Sequence, residues 1–339
     1  MKAKFLFSLM LGCGLCAAAQ GYQDGVDNYN AGRLDVAKAI LDNTINDAST
    51  DKAESYYYLG LIDINDGNTA AAKANFDKGV SANPSYPYNY IGLGEILLQT
   101  GDKSGAEKMF KEAQGFDKKN TAVTVAVARA YYNVDPVKYA KEVEKGIAKA
   151  LKDSKNSESA VYVLQGDMKA AEDPGEAAGL YEMAITQDGL KNQVNREAYV
   201  KYANTYFRVN PKFAIQKLEE FNEKAPNSAL AQRELAEKYY DNNQFGSACI
   251  QYGKYMENPN HFQKDEQRYA GLLYSAGEYD KSLALANKIL AADPNNYFMD
   301  RVVILNKIAL NDFAGAEAAG ARLFNNPNAE LIANDYVLY

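Results

Sequence analysis

The chain repeats itself at a fixed interval, and that period limits its fold more than any other property. The stretch YLGLIDINDGNTAAAKANF at 58–76 returns as GLGEILLQTGDKSGAEKMF at 92–110, with Gly, Gly, Ala and Phe at matched places 34 residues apart. A unit this short cannot bury an apolar face alone, so copies must stack to make a core. The turn positions are Gly32, Gly67, Gly101, Asn243, Gly277 and Asn311, spaced by 35, 34, 142, 34 and 34 residues, the third gap being four periods plus six. Gly and Asn tolerate a left-handed backbone where a helix ends, so each marks the corner of a helix hairpin. Two places on, Leu34, Phe245, Tyr279 and Phe313 are expected to tuck beneath their turns.

Small residues recur where paired helices must approach. Five places after the corner stand Ala37, Ala72, Ala106, Ala140, Ala177, Ala214, Ala248, Ser282 and Ala316, allowing one-residue shifts at Ala177 and Ala214. A second set falls on the preceding helix, as Gly60, Gly94, Ala128, Gly166, Ala203, Ala236 and Ala270. Between these notches lie bulky fillers, Leu59, Leu93, Phe76, Phe110, Tyr181, Tyr239 and Tyr252, at spacings that place them on buried faces. Pro84, Pro226, Pro294, Pro259 and Pro327 close second helices, because proline cannot donate to the helical ladder.

Together these residues resemble the tetratricopeptide repeat family, with the match clearest at 53–120, good at 229–330 and looser at 121–228. In that middle stretch AEDPGEAA and RVNPKFA replace the Gly corner, and the large first position is never Trp, since the chain has none. The resemblance implies an all-α, right-handed α-solenoid of about nine helix-turn-helix units over 20–330. It leaves LIANDYVLY at 331–339 as the start of a further repeat, and the natural chain is expected to continue beyond Tyr339.

Residues 1–19 read as a signal peptide. Lys2 and Lys4 precede a short apolar run that stops at Ala17-Ala18-Ala19, with cleavage expected after Ala19. A lipid anchor on Cys13 is the alternative, against which stand Met10 in the usual Leu place and the short run before it. No later stretch is long and apolar enough to span a bilayer. Export to the periplasm of a Gram-negative bacterium follows as the expectation. Cys13 and Cys16 leave with the signal, so Cys249 remains alone and no internal disulfide can form. Removing the two lysines leaves 35 basic against 44 acidic residues, a net charge of −9 rather than −7. An acidic chain without a basic stripe is a poor ligand for phosphate backbones, so nucleic acid is excluded as a partner class.

The supply of catalytic groups is thin. His261 is the only histidine, which removes His-pair metal sites, and as a lone loop residue in NPNHFQ it reads as a bystander. Cys249 beside Ala248 reads as a packing thiol. GDKSGAEK at 101–108 lacks the adjacent Gly-Lys-Ser/Thr of a phosphate loop and falls on a corner. Asp63, Asp66, Glu237 and Asp241 are carboxylates of the kind that solvated helix faces carry in number. The segment KYAKEVEKGIAKALKDSK at 138–155 is an amphipathic helix with Lys141, Lys145, Lys149 and Lys152 outward, and a partner- or membrane-binding role is its alternative reading. No enzyme activity, cofactor or metal is expected.

The face expected to bind is the inner wall, built from the first helix of each pair. In the family, ligands contact residues about one and four places after the first-helix notch. Carried over, this points to Arg129, Tyr132, Asn204, Phe207, Glu237, Tyr240 and Tyr274, with Arg208, Arg233 and Arg268 nearby. Aromatic and Arg side chains anchor interfaces well, although tyrosines also simply fill grooves. The expected function is a non-catalytic protein-interaction scaffold of the cell envelope that holds a peptide segment or protein surface. The alternative is a glycan-binding receptor similar to outer-membrane nutrient-binding lipoproteins, with tyrosines stacking on sugars.

Overall fold

A computed structural model describes residues 21–338; the signal peptide expected over 1–19 lies outside them. Nine helix pairs follow in chain order: α1 (Tyr22–Asn30) with α2 (Leu34–Thr44), α3 (Lys52–Asn65) with α4 (Thr69–Ala82), α5 (Pro87–Gln99) with α6 (Lys103–Phe116), and α7 (Thr121–Val134) with α8 (Ala140–Ser154). Next come α9 (Ser159–Lys169) with α10 (Pro174–Gly189), α11 (Arg196–Tyr206) with α12 (Pro211–Lys224), and α13 (Ala229–Asp241) with α14 (Phe245–Glu257). The array continues with α15 (Glu266–Ser275) and α16 (Tyr279–Ala292), then α17 (Tyr297–Ala309) and α18 (Phe313–Asn325), and the short α19 (Ala333–Leu338). No strand occurs among the described residues, and no helix there is long and apolar enough to cross a membrane.

All six expected corners carry a left-handed backbone, from Asn243 at φ 59° to Gly101 at φ 87°. The looser middle repeats solve the same problem differently. Asp173 and Asn210 stand directly before Pro174 and Pro211, and each carboxylate or amide oxygen accepts from the backbone amide three residues on, at 2.9 and 3.2 Å. Proline at the first helical position has its φ preset, so an Asx-Pro cap starts the second helix where glycine would have ended the first. Replacing Asn210 by Ala should therefore cost about 1 kcal/mol, read as a lowered urea midpoint. Each of the five closing prolines lies two residues past a helix end.

The notches are filled as the spacing requires, with two corrections. Eight of the nine second-helix notches are buried, but Ala140 is only half-buried because α8 begins at that residue. Close approach of α8 to α7 is made instead at Gly146, where an added Cβ would lie 2.7 Å from the Ala128 Cβ. Cys249 is half-buried rather than sealed in the core. Beneath the turns, Tyr240 and Tyr274 cover Phe245 and Tyr279 at 5.3 and 5.6 Å, while Phe313 stays 64% exposed.

Successive odd-numbered helices touch one another from α1 to α9 and again from α15 to α17, whereas successive even-numbered helices touch far less. The stack therefore curves with its odd-numbered helices inside. The curvature is enough to bring α1 against α11 and α13, five and six pairs along. At the far end α19 is held by Arg301, whose guanidinium donates to both Asp335 carboxylate oxygens at 2.8 Å.

Candidate protein-binding groove

The inner wall carries two ladders of alternating charge. In the first, Arg129 of α7 donates to Asp167 of α9 at 2.5 Å, and Lys201 of α11 reaches the same carboxylate at 2.7 Å and Glu197 at 3.1 Å. The Tyr181 hydroxyl adds a bond to Asp167 at 2.9 Å. Burial works against the Asp167 carboxylate, yet Arg129 and Lys201 outweigh it and hold the carboxyl below its ordinary range. One pair back, Glu95 of α5 lies 4% exposed with only the Asn133 amide donating to it, at 3.4 Å. Burial pushes its carboxyl up to about 7, with Asn133 and Arg129 opposing.

Beside this ladder lies a cluster of tyrosines from α1, α3 and the start of α5. Tyr29 meets Tyr58 at 5.1 Å, Tyr58 meets Tyr57 at 5.3 Å, Tyr57 meets Tyr88 at 5.5 Å and Tyr88 meets Tyr86 at 5.2 Å. All five rings are half-buried. Burial raises the Tyr57 and Tyr58 phenols well above their usual range, so both stay neutral donors at ordinary pH.

The second ladder joins the first helix pair to the start of the eighth. Arg33, in the α1–α2 corner, donates one guanidinium nitrogen to both oxygens of Asp265 at 2.7 and 2.9 Å, 232 residues away. Asp265 also accepts from the Tyr255 hydroxyl at 2.7 Å and lies 3.4 Å from Arg233. Arg233 pairs with Glu234 and Glu237, and Glu237 receives Arg268 at 2.7 Å, whose guanidinium sits 4.2 Å above the Tyr240 ring. Arg196 of α11 closes the same seam by donating to Asp27 of α1 at 2.6 Å. A cavity of about 590 Å³ remains there, lined in part by Asp24, Asp27, Arg196, Lys224 and Asn260.

Five of the ten expected site residues thus enter the ladders: Arg129 in the first, and Arg233, Glu237, Tyr240 and Arg268 in the second. The others are spread. Tyr132 packs half-buried on the core, Phe207 lies under the Lys238 ammonium at 5.2 Å, Tyr274 covers Tyr279, and Asn204 and Arg208 are exposed. Glu95 and Asp167 were missed although each stands one place after a notch, Gly94 and Gly166. Lys201 and Asp265 had no such marker.

Corners, notches and an inner wall of first helices, repeated at 34 residues, decide the architecture. The fold is an all-α solenoid of stacked helix hairpins, similar to tetratricopeptide-repeat arrays. No protein-family model matches the sequence, and no curated protein matches it either. Among solved structures, the array is similar to the Cut9–Hcn1 hetero-tetramer of the APC/C at 14% identity and TM-score 0.39, over 75% of this chain and 47% of that one. This chain thus spans about half the length of that neighbour. It is also similar to yeast Tom70, at 12% identity and TM-score 0.38 over 94% and 93% of the two chains. A tetratricopeptide repeat protein from Parabacteroides merdae gives 12% and 0.38 over 75% and 96%.

The remaining candidates are placed by this array. Asp63 is 2% exposed and takes Lys38 at 2.6 Å and Asn75 at 2.7 Å, which ties up its carboxylate. In GDKSGAEK, the Asp102 carboxylate accepts from the Gly105 amide at 2.8 Å and so occupies the helix start where a phosphate would bind. His261 lies with Nδ1 2.7 Å from the Asn258 carbonyl oxygen and its ring edge-on to Tyr255. No cluster of metal-ligating side chains occurs among the described residues.

Proposed function

We propose that the chain is a non-catalytic interaction scaffold of the bacterial cell envelope, exported to the periplasm, which holds a peptide segment or protein surface against its inner wall. The observation that carries this reading is the wall itself: half-buried tyrosines and charge ladders side by side on one concave face, with Arg129 still 30% and Arg268 37% exposed. Rigid rings and guanidinium groups bury much area at small entropic cost, which suits a peptide laid along the groove. Because the charges of both ladders are already paired, the wall favours an occupant that brings hydrogen-bonding groups and apolar side chains rather than one strong charge. The tyrosines also close on one another at 5.1–5.5 Å and offer edges more than open faces, so the glycan alternative gains no support.

A photocrosslinking residue at Glu197, on the inner ladder, should yield adducts with a defined envelope protein in intact cells. The same residue at Lys73, which is 61% exposed on α4, should yield none. Equal adducts at both positions would overturn the inner-wall assignment, and recovery of the chain in the cytoplasmic fraction would overturn export.

A further inference from the structure

We propose that a trough on the outer face, between α6 and α8, is a second docking site, which takes an acidic amphipathic helix of a partner protein. The α6–α7 joint is looser than the α4–α5 joint, and the only ion pair seen between α6 and α8 is Lys103 with Glu142 at 2.5 Å. The gap this leaves has a volume of about 560 Å³. Its floor is a stripe of α7, namely Thr124, Val127, Ala128 and Tyr131, at the i, i+3, i+4, i+7 spacing of one helix face, with Phe110 from α6 beside it. A smaller cavity of about 180 Å³ shares Gln114, Thr124 and Lys149 with it and carries the trough on to Asp117 and Lys118, whose charges offset each other.

Shape and charge point to the same occupant. The floor residues are at most 9% exposed and lie recessed beneath two helical walls, so a planar lipid surface would meet only the rims. The stripe is about 10 Å long, which gives a cross-section of about 50 Å² and fits one row of side chains from a helix resting in the mouth. On the α8 wall stand Lys141, Lys145 and Lys149 at four-residue spacing, and Lys111 faces them from α6. Only Lys149 has an ion-pair partner, Asp153; Lys111, Lys141 and Lys145 close no salt bridge among the described residues. Four lysines against Glu107 and Glu142 make this rim basic on a chain whose net charge is −7. Carboxylates spaced i, i+4 along the flank of a bound helix would meet that row one for one, with its apolar face on the α7 stripe.

The probe is a synthetic, lactam-bridged helix with leucines on one face and glutamates along its flanks, titrated against the full chain by fluorescence anisotropy. Saturable binding is expected, weakening as salt rises. The triple variant Lys141→Glu/Lys145→Glu/Lys149→Glu should bind at least about tenfold more weakly, with unchanged circular dichroism because all three side chains are exposed. A peptide of the same composition in scrambled order should not bind. Failure of the wild-type chain to bind, equal binding by the triple variant, or capture by phosphatidylglycerol vesicles without capture of the peptide would each overturn the proposal. None of these outcomes touches the inner-wall crosslinks, so the two sites are judged separately.

Discussion

Replacing Phe76 with Ala is expected to lower stability by about 3–5 kcal/mol, among the largest losses one substitution can cause here. The ring is fully buried and lies between two glycines of neighbouring first helices. An added Cβ would come within 2.3 Å of it at Gly60 and 2.4 Å at Gly92. One side chain of α4 thus couples α3 to α5, and in an array whose stability is a sum over neighbours its loss weakens a joint rather than a whole domain. Hydrogen exchange should show the loss of protection first in α3, α4 and α5, the helices that the ring joins, and urea denaturation should report the total. A cycle with Gly60→Ala makes the test specific. Alone, that change overpacks the joint and costs about 1–3 kcal/mol. In the Phe76→Ala background the methyl has room, and the helix prefers Ala to Gly by about 0.5–1 kcal/mol. Additive losses in the cycle would show that ring and glycine do not form one fitted contact.

The second large effect belongs to Glu95. Its folded carboxyl sits at about 7 against an ordinary 4.5, chiefly because burial disfavours the charge. Between these values the folded chain holds a proton that the unfolded chain has lost, so stability falls as pH rises through the window and levels off above it. The full difference is about 3 kcal/mol. Glu95→Gln removes the charge while keeping an amide beside Asn133. The variant should match wild type near pH 4 and be more stable at pH 8, with a flatter profile between pH 5 and 7. Parallel urea midpoints for the two proteins across pH 4–8 would refute this account. Carboxyls pushed in the same direction, such as Asp27 and Asp300, remain in both proteins and cancel in the comparison.

The hairpin corners were legible in the sequence because they are local: a left-handed residue at Gly67 or Asn243 is a demand on one backbone position, and few residue types meet it. The notch at Gly60 was legible for the same reason, since the space for the Phe76 ring must be vacated at one place. Where the corner is instead an Asx-Pro cap, as at Asp173, the same geometry is written in other letters and the period blurs. Glu95 and Asp167 obeyed the placement rule for the inner wall but look like any helix carboxylate until burial separates them. The Arg33–Asp265 pair could not be read at all. It depends on the summed rotation of every joint between two residues 232 positions apart, and no local pattern records such a sum.

That fastening changes what sort of object the array is. A superhelix free at both ends behaves as a spring, whose pitch a ligand can stretch or tighten, with the work of deformation taken from the binding energy. Here Arg33 on Asp265 and Arg196 on Asp27 clasp the first turn of the coil to its own later turns. The result is a hoop of set diameter. A partner taken on the inner wall, as proposed above, would meet a face whose curvature was set when the chain folded, so no binding energy would go into reshaping it.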